Sequence, residues 1–309
     1  LLAVRDVALS TVVMLVLETI SVAIICILIV TVFVKHGVVD VAQIRLQGVG
    51  RASIGLGIAT AIFSFVGFES ATAFGDEARN ALKTIPRAVI FSVVIAAAFF
   101  VFAMYAEILG LRGSKPPLDQ LSMPLWNLAD VLNTGYLKIP IAIGAICSSF
   151  SVALACVNTS ARIILPMSED GLLPKVFASV HPRFRTPHVA LAAVVVAMFA
   201  IGLAMYLGGV APIDIFNFCG TLSSLSFIAV YLMISIAAPK LLKRIGELKP
   251  IHVVASIASC AFLLAAAVTL FYPMPPPPTN VFPYLFLVYL VLGLVLYAMT
   301  RRKTVGEPL

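Results

Sequence analysis

Apolar residues run along this chain in long unbroken blocks, and the short stretches between them hold most of the charge. A helix that crosses the hydrocarbon core of a bilayer needs about 20 predominantly apolar residues. Eight stretches qualify, at 8–34, 54–75, 88–111, 137–163, 188–208, 213–238, 251–272 and 281–300. They are too continuous for barrel strands, which alternate over about ten residues. The pattern predicts an all-α polytopic membrane protein, with 1–309 as one transmembrane domain. Among the connections, 123–132 holds the only tryptophan, Trp126, and is expected to form a short helix on the membrane surface. Tyr272-Pro273 and the prolines at 275–278 predict a stiff turn, because proline fixes its backbone and cannot continue a helix.

Composition agrees with the pattern. The chain is 61% hydrophobic and 11% charged, whereas a soluble domain carries roughly a quarter charged residues. The net charge of +7 does not point to nucleic acid. No basic patch is interleaved with aromatics in the way such a footprint requires. The five cysteines, Cys26, Cys147, Cys156, Cys219 and Cys260, lie inside apolar stretches without a CxxC, and read as small buried hydrophobes. The histidines form no ligand spacing, so neither a metal nor a cofactor is expected. The chain starts Leu1-Leu2 without an initiator methionine or a signal peptide, and reads as a fragment.

The basic residues set an orientation. Assigned to the two sides by the eight blocks, fifteen of the 21 lysines and arginines fall on the side of Arg5 and six on the other. Cytoplasmic loops are the lysine- and arginine-rich ones, so both termini are expected in the cytoplasm of a plasma (inner) membrane protein.

Acids inside membrane helices are costly and commonly functional. Glu18 sits near the middle of the first block and Glu69 in the second; Glu107 and Asp214 lie near block ends. The second block is the most informative. After an apolar run at 54–65 comes Val66-Gly67-Phe68-Glu69-Ser70-Ala71-Thr72-Ala73-Phe74-Gly75. Glycine weakens a helix by its backbone entropy. A helix broken in mid-membrane bares N–H and C=O groups that can bind a ligand's charged ends, the new N-terminus favouring an anion and the new C-terminus a cation. An amino acid carries both charges. The other reading is a continuous helix whose glycines let a neighbour pack closely. Glu69 is either a hydrogen-bond acceptor between helices or a proton carrier whose pKa is raised by desolvation. Glu18 divides in the same way between a structural and an ion-coupling role. Phe63, Phe65 and Phe68 flank the break as substrate gates or as packing. In the fourth block, Ser148, Ser149, Ser151, Asn158 and Thr159 either pack helices or line a path.

A resemblance adds to this reading. Glu77-Ala78-Arg79-Asn80 and Thr84-Ile85-Pro86-Arg87-Ala88-Val89-Ile90 are similar to the E-x-R/K-N-P-x-K-x-I-P-R-A-I signature of the APC superfamily, the amino acid–polyamine–organocation transporters. The Gly67-Phe68-Glu69-Ser70 element resembles that family's unwound sixth helix. Ser160-Ala161-Arg162, Met167-Ser168-Glu169-Asp170-Gly171-Leu172-Leu173-Pro174 and Arg185-Thr186-Pro187 resemble its eighth-helix exit loop. Ala81 stands where the family usually has proline, a position expected in a loop.

The resemblance implies an inverted-repeat, broken-helix transporter fold. This chain would run from the fifth helix to the twelfth, with the first repeat mostly absent. It implies that the substrate's amino group meets the break at Phe65, Val66, Gly67, Phe68, Glu69 and Ser70, with Phe63 beside it as a further substrate-binding residue. Some proton-coupled relatives carry a lysine near the position of Glu18, in place of a sodium ion. The implied function is alternating-access transport of an amino acid or related amine, coupled to H⁺ or Na⁺ through Glu69 and Glu18. Exchange, a sensor role and an inert fragment are the alternatives. An enzyme would need a clustered nucleophile, base or metal set, and the sequence offers no catalytic residues.

Overall fold

The computed structural model describes residues 7–50, 54, 57, 61, 64–116, 118, 121, 123–184, 186–272, 277 and 279–304. Much of the expected span 54–75 and of the proline turn after Tyr272 lies outside them. The described residues form helices joined by turns and loops, with no strand among them. In chain order they form α1 (Val7–His36), the short α2 (Val41–Ile44), a 3₁₀ segment (Phe68–Glu77), α3 (Ala81–Gly110), α4 (Pro124–Val131), α5 (Lys138–Glu169), α6 (His188–Leu207), α7 (Pro212–Arg244), α8 (Pro250–Phe271) and α9 (Phe282–Thr304). Seven helices among the described residues are long and apolar enough to cross a bilayer: Thr11–His36, Ala81–Gly110, Gly135–Glu169, His188–Leu207, Pro212–Arg244, Pro250–Phe271 and Phe282–Met299. This is an all-α polytopic membrane protein.

The chain divides into two compact units, Leu1–Gly48 with Gly67–Ala197 and Val49–Val66 with Met198–Leu309. In the first, α1 packs on α3 and α5, and the 3₁₀ segment packs on α3 and α5. The α1–α5 pair is antiparallel, as three successive contacts demonstrate. Ser151 Oγ donates to the Met14 carbonyl at 3.1 Å, Ser148 Oγ donates to Glu18 Oε2 at 3.0 Å, and Gly144 faces Ser21. A Cβ on Gly144 would stand 3.3 Å from Ile24 Cδ1 and 3.5 Å from Ser21 Cα. The missing side chain is what lets these two helices approach, as small residues do between membrane helices.

At the α4 end, Leu28, Val32, Ala106, Leu128, Ala129 and Leu132 form a buried cluster. Proline opens α4 at its first position, where the lost N–H costs nothing. Its buried Leu128 and Ala129 turn α4 into a lid on the cluster, so the short helix expected at 123–132 is present but packed inward. A second cluster joins Val157 and Ala161 of α5 to Ala190 and Leu191 of α6. In the second unit, α7 packs on α8 and α9. Ile228, Leu263 and Ala266 form its buried cluster, the Phe218 and Phe282 rings lie 4.9 Å apart, and Ser256 donates to the Ser235 carbonyl.

One sequence expectation changes. Ala81 is the first residue of α3 rather than a loop residue. Proline and alanine both suit that position, proline because its fixed φ is helical and its N–H is not needed, alanine by propensity.

Candidate functional site

Ser64 and Phe65 are helical, and Val66 and Gly67 form a turn. Gly67 has φ 116° and ψ −16°, a conformation that L-residues with a Cβ rarely adopt. A Cβ there would meet nothing within 4 Å. The glycine is therefore required by the backbone and not by a neighbour, which favours the broken-helix reading of Gly67 over close packing. From Phe68 to Glu77 the chain forms short 3₁₀ turns that run together across a kink at Phe74, φ −102° and ψ 15°.

The Gly67 N–H donates to Glu69 Oε2 at 3.1 Å, Ser70 N–H donates to the Gly67 carbonyl at 3.0 Å, and Thr72 Oγ1 donates to the Glu69 carbonyl at 2.7 Å. The helix N-terminus that can attract a ligand's anion is thus capped by the chain's own carboxylate. That leaves a carboxyl group, half-buried, at the break. Phe65, Val66, Phe68, Glu69 and Ser70 are all half-buried, while Gly67 is exposed. Phe63 lies outside the described residues.

On α5, Glu69 is near enough to Cys156 to interact with it electrostatically. The Arg162 guanidinium sits 4.1 Å from the centre of the Phe74 ring, and Arg162 also donates to the Asn158 carbonyl at 3.2 Å. The kinked end of the 3₁₀ segment is therefore held on α5 by a cation–π contact. The other proposed coupling acid, Glu18, is half-buried and held by Ser148 on the α1–α5 contact. No group of His, Cys, Asp and Glu that could hold a metal occurs among the described residues.

Sequence reasoning missed a polar network at the α4 end. Asp40 is 2% exposed and pairs with Arg112. Its Oδ1 accepts from the Ala42 N–H at 3.0 Å and its Oδ2 from Gln43 Nε2 at 2.9 Å. The Asp40 N–H donates to Tyr105 Oη at 2.7 Å, which donates onward to the Val38 carbonyl at 2.9 Å. Burial pushes the Asp40 carboxyl up, but the hydrogen bonds from Gln43, Arg112 and the backbone of Gln43 and Ala42 together outweigh it and hold it below its ordinary 3.8. Lys35 donates to the Leu132 carbonyl. Lys138 bridges Asp130 at 2.5 Å and lies 5.1 Å from the centre of the Trp126 ring. Only the Asp-x-x-Gln capping pattern at 40–43 is a local signal; the remaining partners are distant in sequence.

Comparison with known proteins follows this geometry. A family model described as "Amino acid permease" matches residues 1–295. The branched-chain amino acid permease of Bacillus subtilis (strain 168) is 25% identical over 258 residues, covering 79% of this chain and 50% of that protein. The methylthioribose transporter of the same organism is 27% identical over 264 residues, 82% of this chain and 52% of that protein. Cationic amino acid transporter 4 of Mus musculus is 31% identical over 188 residues, 60% of this chain and 28% of that protein. The chain spans about half the length, or less, of these relatives.

Proposed function

This chain belongs to the amino acid permease family, and from that premise we propose that it is part of a secondary active transporter for an amino acid or related amine. It would work by alternating access in the plasma membrane, through eight spans, with both termini of this chain cytoplasmic. The observation that carries the reading is the break at Gly67, where a left-handed glycine ends a helix and Glu69 caps the next segment. A carboxyl group at the break suits the amino group of a substrate, and Phe63, Phe65, Val66, Gly67, Phe68, Glu69 and Ser70 are assigned to substrate binding there. The names of the relatives support transport of small polar solutes, amino acids among them.

Proton coupling is the first reading, because Glu69 and Glu18 are acids within the expected spans; coupling to Na⁺ and exchange are the alternatives. The test is uptake by the whole protein in proteoliposomes, across a panel of amino acids, under an imposed proton gradient, an imposed sodium gradient, or internal substrate alone. Uptake driven by the proton gradient supports the first reading. Uptake that follows only sodium or internal substrate replaces it, and no uptake of any amino acid or amine rejects the transport proposal. Glu69→Gln should flatten the pH dependence of uptake; an unchanged profile removes Glu69 from proton transfer.

A further inference from the structure

A cavity of about 250 Å³ lies between α1, α4 and α5. Its walls are Ser21, Ile24 and Ile25 of α1, Leu125 of α4, Ile141, Gly144 and Ala145 at the α4 end of α5, and Ser148 and Ser149 further in. The antiparallel register fixes its direction. Ser21 is three residues beyond Glu18 and so shares its helix face. Ser148, at the inner end of the lining, donates to Glu18. The cavity thus starts under α4 and ends at the Glu18–Ser148 hydrogen bond.

Its chemistry suits water. A space of this size holds several waters at about 30 Å³ each, and a buried water needs two to four polar partners. The hydroxyls of Ser21, Ser148 and Ser149 supply them, and Ser148 is in turn bonded to the Glu18 carboxylate. The charged groups around it are sparse. On α1 no other charge lies between Asp6 and Lys35, on α5 none between Lys138 and Arg162, and on α3, which also packs on α1, none between Arg87 and Glu107. Cys147 is the remaining titratable group at that level of α5.

We propose that this cavity is a hydrated access path which connects the α4 end of the first unit to Glu18 and delivers the coupling proton to it. The delivery role rests on the proton-coupling reading above; the path itself does not.

Cysteine accessibility tests the path in the whole protein, in membrane vesicles of both orientations, with the native cysteines replaced by alanine. Asn133→Cys, in the exposed turn after α4, marks the side on which the path opens. Ala145→Cys and Ser149→Cys should react with a small membrane-impermeant methanethiosulfonate, added on the side that labels position 133, at least tenfold faster than Ile146→Cys. Ile146 neighbours both positions at the same depth, is 70% exposed and does not line the cavity. Equal rates at the three positions, or labelling of 145 and 149 only from the opposite side, overturn the path. Labelling at 133 from the cytoplasmic side would reverse the topology and leave the path standing.

In transport, Ala145→Trp should fill the cavity, slow labelling of a cysteine at 149, and raise the apparent proton KM at least threefold with the substrate KM unchanged. An unchanged proton KM with slowed labelling overturns the delivery role. A wild-type protein with no proton dependence would remove the coupling reading, and the delivery role with it, while the labelling result still decides the path.

Discussion

At the α4 end of the first unit, Leu28, Val32, Leu128, Ala129 and Leu132 are each at most 2% exposed; from Gly67 to Gly75 no residue is buried. The first region is closed by apolar packing and by a polar network in which Asp40 has several partners. The second packs on α3 and α5 without burying a residue, with short-range bonds from its backbone and from the Glu69 and Thr72 side chains, and a cation–π contact at its far end. Local stability follows buried contacts, and the parts of a protein that move are drawn from its weakly held end. The contrast teaches that one compact unit joins a fixed end to a segment able to rearrange, with α5 common to both.

The largest expected effect breaks the fixed end. Leu128→Ala should cost about 2–5 kcal/mol, the range for a fully buried leucine, read as a lowered unfolding midpoint of the purified protein in detergent. A loss within the ordinary surface range of about 0.5 kcal/mol would mean that α4 is not a structural lid. Next comes the break. Gly67→Ala forces a side chain into a left-handed conformation at about 1–2 kcal/mol. The cost should appear in substrate affinity, about tenfold, with little change in midpoint. Gly75→Ala, at a glycine with open space and no positive φ, is the control and should change neither. If both substitutions behave alike, the left-handed turn is not the operative feature.

The smallest effect sharpens the electrostatics of the fixed end. Asp40 has its carboxyl pKa depressed in the folded protein, so its contribution to stability is present above the unfolded value near 3.8 and lost as pH falls through the folded value. Wild type and Asp40→Asn should therefore differ in midpoint at neutral pH and converge below that range. A gap that persists at the acid end would assign the role of Asp40 to its shape and not its charge.

Much of this contrast was legible in the sequence, for physical reasons that particular residues make plain. Blocks of apolar residues announce membrane helices because lipid tolerates little else. Gly67 announces a break because glycine is the residue that a left-handed turn requires. The Asp40 network was not legible. Arg112 lies 72 residues from Asp40 and Tyr105 lies 65 away, and no periodicity connects them; each reads alone as an ordinary loop or helix residue. Arg162 was visible as part of a motif, but its contact with Phe74 needs the 3₁₀ geometry that turns the ring toward α5. Ala81 was placed in a loop because a family proline suggests one, although the first position of a helix accepts that residue equally well.

The antiparallel pairing of α1 and α5 depends partly on serines that reach across to the opposite helix: Ser151 to Met14 and Ser148 to Glu18. Elsewhere in this chain hydroxyls turn inward instead. Thr19 and Thr31 on α1, and Thr221, Ser224 and Ser226 on α7, donate to the carbonyl four residues earlier in their own helix. Both partners lie within one rotation about the Cα–Cβ bond. When α1 slides or tilts against α5, a serine can exchange one acceptor for the other and is never left bare in hydrocarbon, where an unmatched hydroxyl is expensive. An aliphatic seam of the same area would have to be prised open. At Ser148 and Ser151 each hydroxyl has instead a second acceptor within its own helix to turn to if the two helices shift.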